Sequence, residues 1–392
     1  MMSSYIYRNT KAISCFLILI IFSLASSSTS YAQAIPDIKS PSAVLIDAQS
    51  GTVLYEKNAH EKMEPASITK IMTLLVAFDA IASGKVNLDD KVPVSERAWK
   101  TGGSQVFLGP GEEQTLETLM KCITIASAND ASVAVAEYIG GSVEGFVKMM
   151  NEKAKSLGMN NTHFSNPHGL PDPENYSTAY DIALMSRELV KYPKIFEWST
   201  VWVDYLEHTD KKREPTMLAN TNKLLGKYEG LDGLKTGYHA KAGYCFAGTA
   251  KRGNLRLISV VLNSPTSNDR FEDTKKLLDY GFGNFDSMRI AKKDEVLARL
   301  PVEKGMRDQV DIIASYDLDI LIEKGKDVAI DTKLEIPDKL KAPLSAGQKV
   351  GRLIAEQNGK VLGEVDLIVS EGIEKAGLFY IFRKLIVNLF NY

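Results

Sequence analysis

Three short motifs supply groups suited to acyl transfer: Ser67-Ile68-Thr69-Lys70, Ser127-Ala128-Asn129 and Lys235-Thr236-Gly237. A spacing of three at a helix start places the Ser67 hydroxyl and the Lys70 amine on one face. The amine can take the hydroxyl proton only when it is uncharged. Burial and a second cation favour that state, while a helix N-terminus favours the developing alkoxide. Ser127 offers a second hydroxyl able to pass a proton, and Asn129 an amide able to fix a substrate carbonyl. In the third motif Lys235 adds positive potential, the Thr236 hydroxyl can grip a carboxylate, and Gly237 lets another backbone approach. Taken singly, each has an ordinary structural reading: a helix cap with a solvated lysine, an interhelical cap and a strand end. Their order and context carry the functional reading.

The elements that must position these groups are legible in outline. Ala43 to Ile46, the turn-rich segment Asp47 to Gly51, and Val53 to Tyr55 read as a β-hairpin. Ile68 to Ile81 has strong helix formers without Pro or Gly and is closed by Gly84. Leu116 to Ala126 and Ala131 to Ile139 read as helices flanking the polar knot Ser127-Ala128-Asn129-Asp130, where Asp130 could cap the second. A loop-like stretch, Asn161 to Tyr176, precedes a helix at Thr178 to Val190. Strand signals follow at Gly233 to Gly237, Tyr244 to Ala250 and Leu255 to Leu262. From about Ala291 the pattern becomes short alternating runs: Gln309 to Ile313, Leu318 to Ile322, Val328 to Ile330, Val350 to Ile354 and Val361 to Val369. These predict a mixed α/β (α+β) domain followed by a small all-β, sandwich-like one.

The two ends read differently from the rest. Residues 1–34 run from Arg8 and Lys11 through the apolar stretch Phe16 to Leu24 into small residues, the pattern of a signal peptide cleaved after Ala32 or Ala34. At the other end, Gly377 to Tyr392 forms a two-faced wheel. Leu378, Phe379, Ile381, Phe382, Leu385, Ile386, Leu389, Phe390 and Tyr392 lie on one side; Arg383, Lys384, Asn388 and Asn391 lie on the other, with Val387 and Tyr380. Sixteen helical residues span about 24 Å, too short to cross a bilayer but suited to lying in its surface.

Composition excludes several classes. With 44% apolar and 24% charged residues, the chain can bury a core and is not disordered. Its 47 basic and 49 acidic residues leave no cationic surplus for nucleic acid, the less so once Arg8 and Lys11 are removed. The histidines have no metal-ligand spacing, so no metal and no cofactor is expected, and His60 and His208 read as surface residues. Cys122 and Cys245 lie in apolar stretches and read as buried free thiols, although an exported protein would also permit a disulfide between them.

The three motifs in this order resemble those of the penicillin-binding protein and serine β-lactamase superfamily. The wording around them is similar to one branch, the low-molecular-weight D-alanyl-D-alanine carboxypeptidases. The matching phrases are Pro65-Ala66-Ser67-Ile68-Thr69-Lys70, Gly103-Ser104-Gln105-Val106-Phe107-Leu108, Ser127-Ala128-Asn129-Asp130, Asn166-Pro167-His168-Gly169-Leu170, Ser177-Thr178-Ala179-Tyr180-Asp181 and Asp232-Gly233-Leu234-Lys235-Thr236-Gly237.

The resemblance implies a penicillin-binding catalytic domain at 35–288, a β-rich domain at 289–374 and a membrane-anchor helix at 375–392. It implies that Ser67 is acylated by peptidoglycan stem peptides with Lys70 as base and Ser127 as proton relay. Asn129, Lys235, Thr236 and Gly237 would bind substrate, and the Ser67 and Tyr238 backbone N–H groups would hold the oxyanion. β-Lactams should trap the same serine, at the periplasmic face of the inner membrane. Many members have His directly after Lys-Thr-Gly; this chain has Tyr238 and then His239, which leaves only a backbone role for that position. Three alternatives stay open: a D,D-endopeptidase, a β-lactamase, for which Glu174 is a poor deacylating base, and an inactive cell-wall-binding protein.

Overall fold

Strand Ser42–Asp47 is buried on both faces, and its side chains alternate between two cores. Val44 and Ile46 enter one cluster, Ala43 and Leu45 the other. It therefore lies inside a sheet covered on both sides. The computed structural model describes residues 34–326, 329–377 and 380. In it an antiparallel five-stranded sheet runs in the order Val53–Lys57, Ser42–Asp47, Leu255–Ser264, Gly243–Arg252, Leu231–His239. Helices Lys70–Ala82 and Ala179–Leu189 cover one face, and Ser267–Asn284 covers the other.

Helix Lys70–Ala82 is apolar nearly all round, with Ile71, Met72, Leu74, Leu75, Val76 and Phe78 buried. That pattern places it centrally rather than at the surface. It is entered through a 3-10 turn, Ala66–Thr69, so the predicted continuous helix from Ile68 starts two residues later, at Lys70. Helices Leu116–Ile125 and Asn129–Gly140 flank the polar knot as expected.

Asp130 is not the cap of the second helix. It lies within its first turn, where Ala128 is the N-cap residue, and its buried carboxylate accepts from Val106 N–H (3.1 Å) and Leu108 N–H (3.1 Å). The physical reason is demand. A loop passing over a helix start leaves amides facing inward, and a carboxylate satisfies more of them than a cap geometry would.

Beyond the helix Ser267–Asn284, a six-stranded sheet and a two-stranded one enclose a separate core. Leu318 and Ile320 of the pair face Ile312, Leu353, Val365 and Leu367 of the larger sheet. Four of the predicted runs appear as strands Gln309–Ala314, Leu318–Glu323, Lys349–Gln357 and Lys360–Val369. Of the run Val328 to Ile330, Val328 lies outside the described residues and Ala329 and Ile330 are not in a strand; the strand that follows is Asp331–Glu335, an edge strand with mostly exposed side chains whose polarity hid it. Strands Phe285–Ala291 and Val296–Glu303 were also hidden, because their mostly half-buried or exposed positions alternate weakly.

Cys122 and Cys245 are both buried free thiols. The export signal and the two-faced tail lie outside the described residues, except Ala34, Gly377 and Tyr380; the Tyr380 hydroxyl donates to the Met306 carbonyl at 2.8 Å. Among the described residues no helix is long and apolar enough to cross a membrane.

Candidate active site

The 3-10 turn presents Ser67 half-buried, directly after Ala66, which is held at φ 48°. A non-glycine residue in that region is strained and persists only where its surroundings over-determine it. Two neighbours do so here. Gly169, itself at φ +83°, passes so close that a Cβ on it would lie 1.9 Å from the Ala66 carbonyl oxygen. On the other side Gly237 of strand Leu231–His239 comes so near that a Cβ would sit 2.9 Å from the Pro65 carbonyl oxygen. Gly169→Ala should therefore lower the melting temperature by several degrees, since both the left-handed backbone and the contact with Ala66 oppose a side chain. Thermal unfolding of the purified variant checks this; an unchanged midpoint would contradict it.

Lys70 begins the α-helix and is fully buried, with Nζ 3.1 Å from Ser67 Oγ. The amine donates to Asn129 Oδ1 at 2.6 Å and to the His168 carbonyl oxygen at 2.6 Å. Asn129 is oriented by its own Nδ2, which donates to the Gly102 carbonyl at 2.7 Å, so its oxygen must face the lysine. A neutral amine has two N–H bonds and one lone pair. As an ammonium Lys70 donates to all three oxygens, Ser67 Oγ included; in the neutral form, with its N–H bonds on the two carbonyl-type acceptors, the lone pair is left for the Ser67 hydroxyl. Burial, followed by the positive charge of Lys235, holds the Lys70 pKa well below its ordinary value, opposed only by the field of Asp130.

Ser127 is buried between the two helices at φ 61°, two residues before the amide that fixes Lys70. Lys235 is buried as well, and desolvation followed by the Arg270 charge pushes it down to about 7. The Thr236 and Thr221 hydroxyls share a hydrogen bond of 2.6 Å. Strand alternation sends Lys235, Gly237 and His239 toward the Ser67 turn. The Tyr238 ring instead stacks on Tyr244 at 4.3 Å between centroids, with 56% of the residue exposed. The arrangement thus places beside the Ser67 hydroxyl an amine that burial and Lys235 drive toward its neutral form, among the polar side chains of Ser127, Asn129 and Thr236.

Several contributors were not legible in the sequence. Arg270, from helix Ser267–Asn284, donates to the Gly237 carbonyl at 3.1 Å and the Cys245 carbonyl at 3.3 Å. It is 33 residues from Gly237 and stands in no motif. His168 acts through its backbone oxygen, which no side-chain pattern reveals. His208 is corrected: it is buried, not at the surface, bonded to Glu112 Oε1 at 3.0 Å and Thr216 Oγ1 at 2.9 Å. Its partners lie in distant strands and loops, so the sequence around it reads as polar and exposed. Among the described residues no cluster of His, Cys, Asp and Glu could hold a metal ion.

Comparison with known proteins places this geometry. Residues 28–266 match the family model described as D-alanyl-D-alanine carboxypeptidase, and residues 285–375 match the C-terminal domain of penicillin-binding protein 5. D-alanyl-D-alanine carboxypeptidase DacF of Bacillus subtilis (strain 168) is 44% identical over 345 residues, 88% of each chain. Penicillin-binding protein 5 from Haemophilus influenzae superposes with a TM-score of 0.67 at 33% identity, covering 88% of this chain and all (100%) of that one. Penicillin-binding protein D2 from Listeria monocytogenes, solved in its cefotaxime-bound form, gives a TM-score of 0.57 at 33% identity, covering 64% of this chain and 100% of that one. With the family model spanning more than half the residues and this identity over most of both chains, the chain belongs to the D-alanyl-D-alanine carboxypeptidase family and is a hydrolase of that kind.

Proposed function

We propose that the protein removes the terminal D-alanine of peptidoglycan stem pentapeptides through an acyl-enzyme on Ser67. The observation that carries this reading is the buried Lys70 amine, which lies 3.1 Å from Ser67 Oγ and is held there by Asn129 Oδ1 and the His168 carbonyl at 2.6 Å each. Lys70 takes the hydroxyl proton as Oγ attacks the penultimate D-alanine carbonyl. Ser127 passes a proton to the departing D-alanine amine, and Asn129 positions the peptide. The oxyanion sits between the backbone N–H groups of Ser67 and Tyr238, where each preorganised donor contributes about 3 kcal/mol. Water then cleaves the ester and releases the shortened peptide.

The free carboxylate of the peptide end binds at Lys235 and Thr236, beside Gly237. Without substrate, Lys235 is pushed to about 7 by burial and Arg270. An arriving carboxylate opposes both effects and keeps the lysine charged, so the site favours a substrate that ends in an anion. β-Lactams acylate the same oxygen. Glu174 is exposed, which suits slow loss of the β-lactam rather than β-lactamase turnover. The division at 35–288 and 289–374, export by residues 1–34, and docking of 375–392 on the periplasmic face of the cytoplasmic membrane complete the reading.

Incubating the mature protein with a D-Ala-D-Ala pentapeptide should release free D-alanine, and a fluorescent penicillin should remain attached for many turnover times. Rapid loss of the label with ring-opened product would assign a β-lactamase instead. Absence of D-alanine release would end the carboxypeptidase reading.

A further inference from the structure

His239 follows the Lys-Thr-Gly strand where the sequence alone left its side chain without a role, and the structure gives it a partner. Its Nε2 lies 3.4 Å from Glu64 Oε2, both side chains being mostly buried at 15% and 23% exposure. Glu64 Oε2 is buried and has no hydrogen-bond partner in the structure. On the other side of the imidazole, Nδ1 accepts from the Ala242 N–H at 3.1 Å. A ring nitrogen that accepts carries no proton in the neutral form, so the proton is then on Nε2, the nitrogen on the Glu64 side, and the contact at 3.4 Å is one of charge and proximity rather than a formed hydrogen bond. Desolvation, opposed by Glu64 and reinforced by Lys241, lowers the His239 pKa and so favours the neutral ring.

The placement matters because of what lies next to each partner. Glu64 stands three residues before Ser67, on a segment anchored by the bridge between Met63 and Ser177. His239 immediately follows Tyr238. The two side chains therefore link the backbone carrying one N–H donor to the backbone carrying the other, across the gap where Gly237 passes Pro65 and Ala66. Arg270 fixes the far edge of the same strand through the Gly237 carbonyl.

We infer that the Glu64 and His239 pair is a positioning clasp that sets the spacing of the Ser67 and Tyr238 N–H groups, and with it the acylation rate. This rests on the acyl-enzyme reading given above. Neither side chain touches the reacting atoms. A donor displaced by a fraction of an ångström loses part of its effect, and a whole donor is worth roughly 100- to 1,000-fold in rate. His239→Ala and Glu64→Ala should each slow acylation by about 10- to 100-fold, with KM changed far less, because the carboxylate grip at Lys235 and Thr236 is untouched.

The experiment measures acylation by a fluorescent penicillin and kcat and KM for D-alanine release in the full mature chain. His239→Gln, whose amide nitrogen can replace Nε2–H, should recover most of the rate. His239→Asn, which can serve Ala242 but cannot reach Glu64, should not. The Glu64→Ala/His239→Ala double variant should be no slower than either single one, the signature of a shared interaction. Additive losses, equal behaviour of Gln and Asn, or an effect confined to KM would overturn the clasp. Failure of the wild type to carry the label on Ser67 would instead overturn the acyl-enzyme reading, so the two failures are distinguishable. Thermal unfolding of each variant shows that the fold is kept, and the Gln and Asn pair carries the test if either alanine variant unfolds.

Discussion

Ser67→Ala should abolish the covalent penicillin adduct and reduce D-alanine release by about four to six orders of magnitude, the range seen when a nucleophile is removed from a catalytic unit. The peptide should still bind, because Lys235, Thr236 and Gly237 remain in place, so KM changes little while kcat collapses. Stability should change by no more than about 1 kcal/mol, since the hydroxyl is half-buried and one hydrogen bond is lost. Intact-mass spectrometry after exposure to penicillin, beside melting curves, separates a lost nucleophile from a lost fold. A persistent adduct on the variant would move the nucleophile elsewhere, with Ser127 as the first place to look.

Lys70→Arg should lower the acylation rate by at least about 1,000-fold, although it keeps a long basic side chain. A guanidinium stays protonated at every accessible pH and has no lone pair to offer Ser67. It is also larger and planar, in a site where the amine is already enclosed by Asn129 Oδ1 and the His168 carbonyl at 2.6 Å each. For the wild type the pH dependence has a definite sign. The base works only when unprotonated, so acylation falls as pH drops through the Lys70 pKa and levels off above it. Because burial and Lys235 hold that pKa well below 10.5, the rise should lie far to the acid side of an ordinary lysine titration. Stopped-flow acylation across pH, wild type against Lys70→Arg, reads both effects.

The chemistry was legible because its groups are local in sequence. Ser67 and Lys70 are three residues apart, Ser127 and Asn129 two apart, and Lys235 to Gly237 are consecutive. Helix and strand periodicity then predict their faces without tertiary information. What hold these groups at their working distances are contacts between distant segments. The Asn129 contact to Lys70 spans 59 residues, His168 to Lys70 98, and Arg270 to Gly237 33. None has a periodicity. Asp130 and His208 were misread for a related reason: a polar side chain in a turn-rich stretch has the same local pattern whether it caps a helix, faces water or satisfies a buried loop. The β-rich domain was read from its interior strands, where Val310 and Ile312 or Val365 and Leu367 alternate cleanly, and missed at its edges.

The claim beneath all of this is that the Lys70 nitrogen is uncharged at neutral pH. It can be measured by following the 13Cε and 15Nζ resonances of Lys70 through a pH titration, with Lys70→Arg providing the assignment. The account predicts amine-type shifts at pH values far below 10.5, with a midpoint matching the rise in acylation rate. An ammonium signal that persists to pH 10 in protein still acylated by penicillin would contradict it.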